Sequence, residues 1–433
     1  MADFTGVTIG FVLMLAMMAL GLHVAVAIFL TSVLAALVYF GPGLLDTFAT
    51  QLWAVMNDFI LTAIPLFVLL GELLMRAGVT QRMYSGMSTW LGRLPGGLLH
   101  TNIGASGLFA AVSGSSVATA ATISTVALPE LRSRGYNERI VLGSIAAGST
   151  LGILIPPSVN LIIYGALTGA SIGQLFAAGI VPGLMLIGLF MMAIIVMSII
   201  WPGTSGALDE PATMRQKLSS LSSLLPPLSI FVVVMGVIYT GWATPTEAAA
   251  IGVIMSVGLA AWNRALTIPM LHDAFLSTVR TTAMILLIIV AAFYLKFIIG
   301  VLGVPQAMTS FVADMDLTPM GFIFALVIFY LILGCFIETL SMLVGTVPIV
   351  FPLVVHMGLD PVWFGIFLVL MMELALITPP VGMNLFVVQG VRGRGSVIDV
   401  FYGIIPFVGV VLLAVALIVF FPGIVLWLPN MMF

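Results

Sequence analysis

The stretch ILIPPSVNLIIYG, residues 153–165, combines residues that rarely occur together. Its flanks are apolar enough for a lipid bilayer, yet Pro156, Pro157, Ser158 and Asn160 interrupt it. A proline lacks a backbone donor and clashes with the carbonyl four residues earlier, so two in a row break the hydrogen-bond ladder of a helix. Non-helical backbone at membrane depth is tolerated only inside protein or beside a water-filled cavity. The stretch therefore predicts a broken membrane helix whose polar groups face a site.

The composition indicates an integral membrane protein. Of 433 residues, 62% are hydrophobic and only 7% are charged, whereas an ordinary soluble domain carries about 25% charged residues. The apolar runs are long, so we expect spanning helices of about 20 residues rather than barrel strands. The start, Met1 to Phe4, has no basic region, which argues against a cleaved signal peptide. Cys335 is the single cysteine, so neither a disulfide framework nor a cysteine metal site is expected.

The hydropathy pattern predicts an all-α polytopic membrane protein with about ten spanning helices and two re-entrant hairpins. The hairpins, at about 97–130 and 318–356, have the polar middles SGSS (113–116) and ETLS (338–341). Such a hairpin enters and leaves on the same side, and its middle must be enclosed by protein. The predicted spanning segments are 5–22, 24–41, 59–76, 138–168, 172–201, 226–243, 245–262, 281–300, 361–389 and 400–428.

The distribution of charge supports this topology. Twelve of the thirteen basic residues fall on one predicted side, and Lys296 is the exception. By the positive-inside rule the twelve are cytoplasmic, so both termini are predicted to be extracytoplasmic. The twelve are Arg76, Arg82, Arg93, Arg132, Arg134, Arg139, Arg215, Lys217, Arg264, Arg280, Arg392 and Arg394, and the opposite loops carry Asp3, Asp46, Asp58, Asp314, Asp316 and Asp360.

The opening stretch has a second copy. LITPPVGMNLFVVQG at 376–390 places Pro379-Pro380 at an offset of 223 from the first proline pair, and Pro129 matches Pro352 at the same offset. GVTQRMYS (78–85) matches GVPQAMTS (303–310) at an offset of 225. An odd number of crossings separates the copies, so the two halves are inverted in the bilayer. Inverted repeats with broken helices are characteristic of secondary transporters, which bind their cargo at the breaks.

The repeat divides the chain into four predicted regions. These are 1–58, N-terminal scaffold helices and an interfacial arm; 59–201, the first repeat with hairpin 97–130 and broken helix 138–168; 202–280, a cytoplasmic loop, scaffold helices and a second interfacial arm; and 281–433, the second repeat with hairpin 318–356, broken helix 361–389 and final helix 400–428. The amphipathic segments 44–58, 77–95, 263–280 and 301–316 are predicted to lie at the membrane interface.

The residues around the breaks suggest an ion and an anion site. Na⁺ is a hard cation that accepts carbonyl and hydroxyl oxygens. Hairpin middles present helix N-termini, whose free amides attract anions, so a substrate carboxylate could lie between the two tips. The oxygen-bearing candidates are Ser115, Ser116, Thr119, Thr122, Ser158 and Asn160 in the first half, and Glu338, Thr339, Ser341, Thr346, Thr378 and Asn384, with Gly345, in the second.

Structural roles compete with these functional ones. Membrane Ser and Thr often donate to a preceding carbonyl or pack against small neighbours. Glu72 and Lys296 lie near span ends, where snorkelling or an ion pair is the expected role. Glu373 within a span could relay protons, bind a cation or hold a helix contact, and Glu338 lies at a hairpin tip. No pattern suggests a nucleotide site, a zinc motif, a nucleic-acid partner or a Ser/His/Asp triad.

The blocks SGSSVATAATISTVALPELRSRGY, GSTLGILIPPSVNLIIYG and LITPPVGMNLFVVQGV resemble the large membrane subunit of TRAP transporters (tripartite ATP-independent periplasmic transporters, DctM-like) over essentially the whole chain. The resemblance implies Na⁺-driven uptake of an organic acid across a bacterial inner membrane by an elevator-type movement. It also implies a periplasmic substrate-binding protein and a separate small four-helix membrane subunit as partners.

The resemblance further implies two sodium sites and a substrate site. It places the first sodium site at Ser115, Ser116, Ser158 and Asn160, beside the carbonyls freed at Pro156. The second falls at Thr339, Ser341, Gly345, Thr346, Thr378 and Asn384, although PPVGMN carries one residue more than PPSVN. The substrate carboxylate is expected beside Ser116, Thr119, Asn160, Thr339 and Asn384.

Other interpretations remain open at the level of sequence. A stand-alone sodium/carboxylate symporter of the same fold would work without a binding protein. An intramembrane enzyme or assembly scaffold would need a catalytic constellation or would move no ions, and a passive channel would not need paired hairpins. The transported acid, the number of ions and the oligomeric state are not encoded in these motifs.

Overall fold

The computed structural model describes residues 4–204, 206 and 212–433, and all regular secondary structure in the part of the chain it describes is helical. Asp3 and the N-terminus, assigned above to the extracytoplasmic side, lie outside the described residues. Ten helices precede residue 201: α1 (Phe4–Ala19), α2 (Val24–Phe40), α3 (Thr47–Met56), α4 (Ala63–Arg76), α5 (Val79–Leu91), α6 (Leu98–Ser113), α7 (Ser116–Ser133), α8 (Glu138–Thr150), α9 (Val159–Thr168) and α10 (Ile172–Ile200).

Ten further helices follow in a matching order. They are α11 (Met214–Tyr239), α12 (Pro245–Trp262), α13 (Ile268–Val301), α14 (Val304–Asp314), α15 (Pro319–Gly334), α16 (Thr339–His356), α17 (Pro361–Ile377), α18 (Met383–Arg392), α19 (Val397–Phe420) and α20 (Gly423–Met432). Helices α4 to α10 therefore correspond to α13 to α19, which is the order expected from the sequence duplication.

Both broken helices lie where the proline pairs predict them. The first break separates α8 from α9 at residues 151–158, and the second separates α17 from α18 at residues 378–382. The peptide bond within each proline pair is cis. The polar middles predicted for the hairpins also interrupt helices, at Gly114 and Ser115 and at residues 335–338.

Helix length and apolar character identify seven segments in the described chain that are able to cross a membrane. They are Phe59–Arg76, Ile172–Ile200, Met214–Tyr239, Pro245–Trp262, Ile268–Val301, Thr339–His356 and Val397–Phe420. Four of the other predicted spans consist of shorter helices: α1, α2, and the broken pairs α8–α9 and α17–α18. One half of the second predicted hairpin, α16, is thus long enough to cross on its own, and its re-entrance stays a prediction.

Three predicted boundaries are wrong. Segment 263–280 is not a separate interfacial helix, because neither glycine nor proline interrupts α13 between residues 270 and 299. Span 226–243 begins earlier, since Thr213 and Gln216 form a capping box that starts α11 at Met214, and Pro226 and Pro227 lie within the helix. The final helix 400–428 ends at Phe420 because Pro422 follows: the residue before a proline is disfavoured in the helical region.

The two halves are joined by close helix packing in the core. Residues 141–158 of the first half and 362–377 of the second are all buried. Helix α8 crosses α19 at Gly143 and Gly403, where each glycine lies against the backbone of the other helix. Small residues at such a crossing allow helices to approach closely in a membrane, where van der Waals packing drives association.

Basic residues from both halves meet at one face, as the charge pattern predicts. Arg132, Arg392 and Arg394 each form an ion pair with Glu138. Arg139 pairs with Asp399 at the start of α19. Residues assigned to one side of the membrane from the sequence therefore lie together in the fold.

Candidate functional site

The tip of the first hairpin is seated directly on the first break. The backbone of Ser115 and Ser116 covers Gly152, where an added Cβ would lie 2.7 Å from the Ser116 nitrogen. On the other side of the tip, a Cβ on Gly114 would lie 2.6 Å from the carbonyl oxygen of Pro157. Gly114 also has a φ of +61°, which disfavours any other residue. The first group of candidates is thus one compact structure.

Two hydroxyl groups of this structure direct their hydrogens at backbone carbonyls. Ser116 Oγ donates to the Thr150 carbonyl over 3.1 Å, and Ser158 Oγ donates to the Ile153 carbonyl over 2.6 Å. A hydroxyl has one hydrogen and two lone pairs. With their hydrogens engaged, both groups act toward a further ligand as acceptors, which suits a cation.

Asn160 carries an unsatisfied polar group beside the break. Its side chain is 5% exposed, and its Nδ2 has no hydrogen-bond partner among the described residues. A buried donor left unpaired costs about 1–3 kcal/mol. Asn160 is the second residue of α9, after the capping Ser158, and its unpaired donor suits a ligand that accepts a hydrogen bond.

The second break is more open than the first. Residues 151–158 are all buried, whereas Thr378 and Pro379 are half-buried and Pro380 is exposed. Thr378 Oγ1 donates to the Leu374 carbonyl of α17 over 2.6 Å, so its hydrogen is engaged as well. Thr378 thus offers the same acceptor chemistry from a less enclosed position.

The second hairpin tip is occupied by its own carboxylate. Glu338 caps α16: one oxygen accepts from the Leu340 amide over 3.1 Å and the other from the Ser341 amide over 3.2 Å. The hydroxyls of Ser341 and Thr339 also donate to this carboxylate, over 2.9 and 3.4 Å. These amides were expected to attract a substrate carboxylate, but Glu338 already satisfies them.

Three further candidates contact elements other than the breaks. Thr119 Oγ1 donates to the Ser115 carbonyl within the first tip. Thr346 Oγ1 donates to the backbone carbonyl of Met342 and lies 3.0 Å from the Tyr330 hydroxyl on α15. Gly345 faces Met14 of α1. The second group of candidates is therefore spread along α16 rather than gathered at one point.

Asn384 joins the two halves. It is fully buried on α18, and its Nδ2 donates to the Ala146 carbonyl of α8 over 3.4 Å. This bond fixes the amide so that Oδ1 is left without a partner among the described residues. Helix α18 packs on α7, and in the corresponding way α9 packs on α16. Each break helix thus lies against the hairpin of the opposite half.

The ionisable residues of the spans have different surroundings. Glu72 pairs with Arg76 and accepts from the Ser277 hydroxyl, so the ion pair expected at this span end is present. Lys296 donates to a backbone carbonyl of α9. Glu373 is fully buried on α17, and neither of its oxygens has a partner in the described part of the chain.

The sequence reasoning missed Gly152 and Ala146. Gly152 lets the first tip sit on the break, and the offset of 223 pairs it with Ala375, which contacts Gly334 of α15. Gly152 lies four residues before the first proline, and a glycine at a break is a usable signal for close backbone approach. The role of the Ala146 carbonyl had no signal, since a backbone acceptor is the same in every residue.

These features together define a class of protein: a helical membrane protein with an internal duplication, in which hairpin tips and helix breaks gather buried polar groups as secondary transporters do. The described residues contain no group of His, Cys, Asp and Glu able to hold a metal. A solved structure of similar fold, the Alcanivorax borkumensis YdaH transporter, superposes with a TM-score of 0.65 over 87% of each chain at 12% identity.

Within this class, the chain belongs to the DctM component family of the tripartite ATP-independent periplasmic transporters, whose model matches residues 11–424. It is 34% identical to the C4-dicarboxylate large permease DctM of Pseudomonas aeruginosa, over 90% of this chain and 91% of that protein. The sialic acid large permease SiaM of Vibrio cholerae is 33% identical over 88% and 89%. The ectoine large permease TeaC of Halomonas elongata is 31% identical over 97% and 98%. The chain is accordingly the large permease subunit of a TRAP transporter.

Proposed function

We propose that this subunit imports a small organic acid together with Na⁺ across a bacterial inner membrane. The observation that carries the proposal is the seating of the first hairpin tip on the first break. There Ser116 and Ser158 present acceptor oxygens beside the unpaired amide of Asn160. Acceptor oxygens suit Na⁺ as cargo, and an amide donor suits a carboxylate.

The second half supplies a less enclosed counterpart. Thr378 and the unpaired Oδ1 of Asn384 offer acceptor oxygens near the second break. Because Glu338 satisfies the amides at the second tip, the substrate carboxylate is assigned mainly to the first half, at Ser116 and Asn160. This narrows the site expected from the sequence, which lay evenly between the two tips.

Transport by an elevator-type movement is part of the proposal. The packing of each break helix on the hairpin of the opposite half supports it, since these elements then form one body able to move together. Helices α4 and α13, which precede the hairpins in the two halves, would remain as the scaffold. Inverted halves allow such a body to present its site to either side in turn.

The partners follow from the tripartite family. A periplasmic substrate-binding protein delivers the acid, and a small four-helix membrane subunit packs against the scaffold. With the twelve basic residues in the cytoplasm, both termini lie in the periplasm. The acids carried by the relatives differ, so the substrate is found by testing C4-dicarboxylates, sialic acid and ectoine.

The test uses the chain reconstituted with its small subunit in proteoliposomes, with the binding protein outside and an inward Na⁺ gradient. We expect substrate uptake that needs the gradient and is lost in Ser116→Ala and Asn160→Ala. Ser229→Ala is the matched control, because Ser229 is an exposed serine on α11 that also donates to a backbone carbonyl. Unchanged uptake in both site variants contradicts the assignment, and uptake without the binding protein indicates a stand-alone symporter.

A further inference from the structure

A polar cavity of about 640 Å³ lies between α5, the first turns of α11 and the end of α7. Arg93, Arg134 and Lys217 line it together with six serine and threonine hydroxyls, and none of the lining residues that the structure describes is acidic. It is remote from the hairpin tips and breaks, and the transport site uses none of its residues. The cavity is therefore a separate concentration of positive charge.

One of the cations that line the cavity, Lys217, lies over an aromatic ring. Trp90 donates its indole hydrogen to Ser220 Oγ over 3.0 Å, which fixes the ring against α11. Lys217 Nζ lies 5.5 Å from the centroid of this ring. Arg134 pairs with Glu130, but neither Arg93 nor Lys217 has a carboxylate within ion-pair distance in the described part of the chain. Two positive charges are thus available to an anion.

The duplicated half provides an internal comparison. In the other half, α14, which corresponds to α5, contributes Val304 to a cavity of only about 70 Å³, bordered also by α1, α2, α13 and α16. Apolar side chains dominate its lining, and the described residues that line it carry no charge. The described lining of this second cavity thus offers no positive charge to an anion, in contrast to the basic cavity.

We propose that the cavity binds the phosphate headgroup of an anionic phospholipid in the cytoplasmic leaflet. With the orientation proposed above, the cavity opens at the level of the cytoplasmic headgroups, where anionic lipids are attracted by basic residues. Met214 and Leu218, on the same turns of α11, are 70% and 59% exposed and offer an apolar path for acyl chains. A free phosphate would need the charges but not this apolar path.

A lipid in this position contacts both the interfacial helix α5 and, through Arg134, the end of the hairpin helix α7. Because α7 belongs to the proposed moving body, the lipid would link α5 and α11 to that body, and the lipid composition of the cytoplasmic leaflet would influence transport. The binding itself does not depend on the proposed substrate or on Na⁺, so it is measured without a transport assay.

The experiment is native mass spectrometry of the full chain, purified with its small subunit and exchanged into micelles of phosphatidylcholine with a minor amount of phosphatidylglycerol. We expect one retained phosphatidylglycerol. In the double variant Arg93→Gln with Lys217→Gln its affinity should fall about thirtyfold, since each basic residue near a surface contributes about 1 kcal/mol. The double variant Arg215→Gln with Arg280→Gln, which removes two exposed charges outside the cavity, should retain the lipid.

Two further measurements distinguish loss of charge from misfolding, and a bound lipid from a soluble anion. The charge-conserving variant Arg93→Lys with Lys217→Arg should retain phosphatidylglycerol, and this shows that loss in the glutamine variant reflects charge rather than misfolding. Equal retention by the wild type and the glutamine variant overturns the proposal. Displacement of the lipid by inorganic phosphate, or equal binding of phosphate without lipid, assigns the cavity to a soluble anion and overturns the lipid assignment.

Discussion

Lys296 on α13 donates a hydrogen bond of 2.6 Å from Nζ to the carbonyl oxygen of Leu167, in the last turn of α9. The last carbonyls of a helix carry the negative end of its dipole and have no partner within the helix. Lys296 is also the single basic residue outside the predicted cytoplasmic set. It therefore connects a proposed scaffold helix to the helix that follows the first break.

Replacing Lys296 by Met should weaken this connection while keeping the length of the side chain. A hydrogen bond to a charged group contributes about 1.5–3 kcal/mol, and partial exposure of Lys296 lowers this to about 1 kcal/mol. We expect lower thermal stability of the purified chain and a changed rate of uptake, with both restored by Lys296→Arg. If Lys296→Met equals the wild type in both measurements, the hydrogen bond to Leu167 contributes nothing and Lys296 only extends its charge into solvent.

Substitution of Gly152 by Ala tests the seating of the first tip. The added Cβ would lie 2.7 Å from the backbone of Ser115 and Ser116, and such overpacking costs about 1–3 kcal/mol. We expect the apparent affinity for Na⁺ in uptake to fall about tenfold or more. Gly188→Ala on α10 is the control, because no atom lies within 4 Å of its Cβ position. If Gly152→Ala transports like Gly188→Ala, the tip does not depend on this contact.

The parts of the fold that follow from the sequence are those set by local chemistry. Proline pairs favour helix breaks, so both breaks were predictable from residues 156–157 and 379–380, although the pair Pro226-Pro227 lies within α11 without ending it. Polar middles located the interruptions of the hairpins, and the repeat gave the order of the helices. Prediction failed at 263–280, where an amphipathic pattern indicated a separate helix but nothing in the sequence ends α13.

The candidate site was predictable only in part, because some of its contacts join parts of the chain that are distant in sequence. The first group came together because its residues flank one break and one tip, and both are short stretches of chain. In the second group, the partner of Glu338 is its own helix N-terminus and the partner of Asn384 is a carbonyl of α8. Such contacts depend on side-chain reach and on packing between the halves, which spacing along the chain does not encode.

Arg392 is expected to stabilise the cytoplasmic junction between the halves. Its side chain is 5% exposed and contacts Glu138 over 3.0 Å and Asp399 over 3.2 Å. Arg392→Gln should cost about 1–3 kcal/mol, less than for a fully buried pair because both carboxylates are partly exposed. Thermal unfolding of the purified chain measures the loss.

The control for Arg392 is its neighbour Arg394, which also contacts Glu138 but is 55% exposed. Arg394→Gln should cost less than about 1 kcal/mol. Arg392→Lys should recover only part of the stability. The planar guanidinium of arginine donates to two carboxylates at once, whereas the compact ammonium of lysine lacks this geometry. Equal effects of the two glutamine variants would show that burial of Arg392 contributes nothing.

Glu338→Gln tests whether the second tip binds substrate. The amide keeps an acceptor for α16 but loses the negative charge at its N-terminus, which should cost about 0.3–1 kcal/mol of stability. Because the native carboxylate already satisfies the amides of Leu340 and Ser341, we expect Glu338→Gln and Thr339→Ala to leave the KM for substrate nearly unchanged.

Asn160→Ala, in contrast, should raise the KM for substrate about tenfold or more, as expected for loss of a buried polar contact. Uptake at varied substrate concentration, with Na⁺ held constant, measures all three variants. A rise in KM for Thr339→Ala as large as that for Asn160→Ala would return the substrate to a position between the two tips.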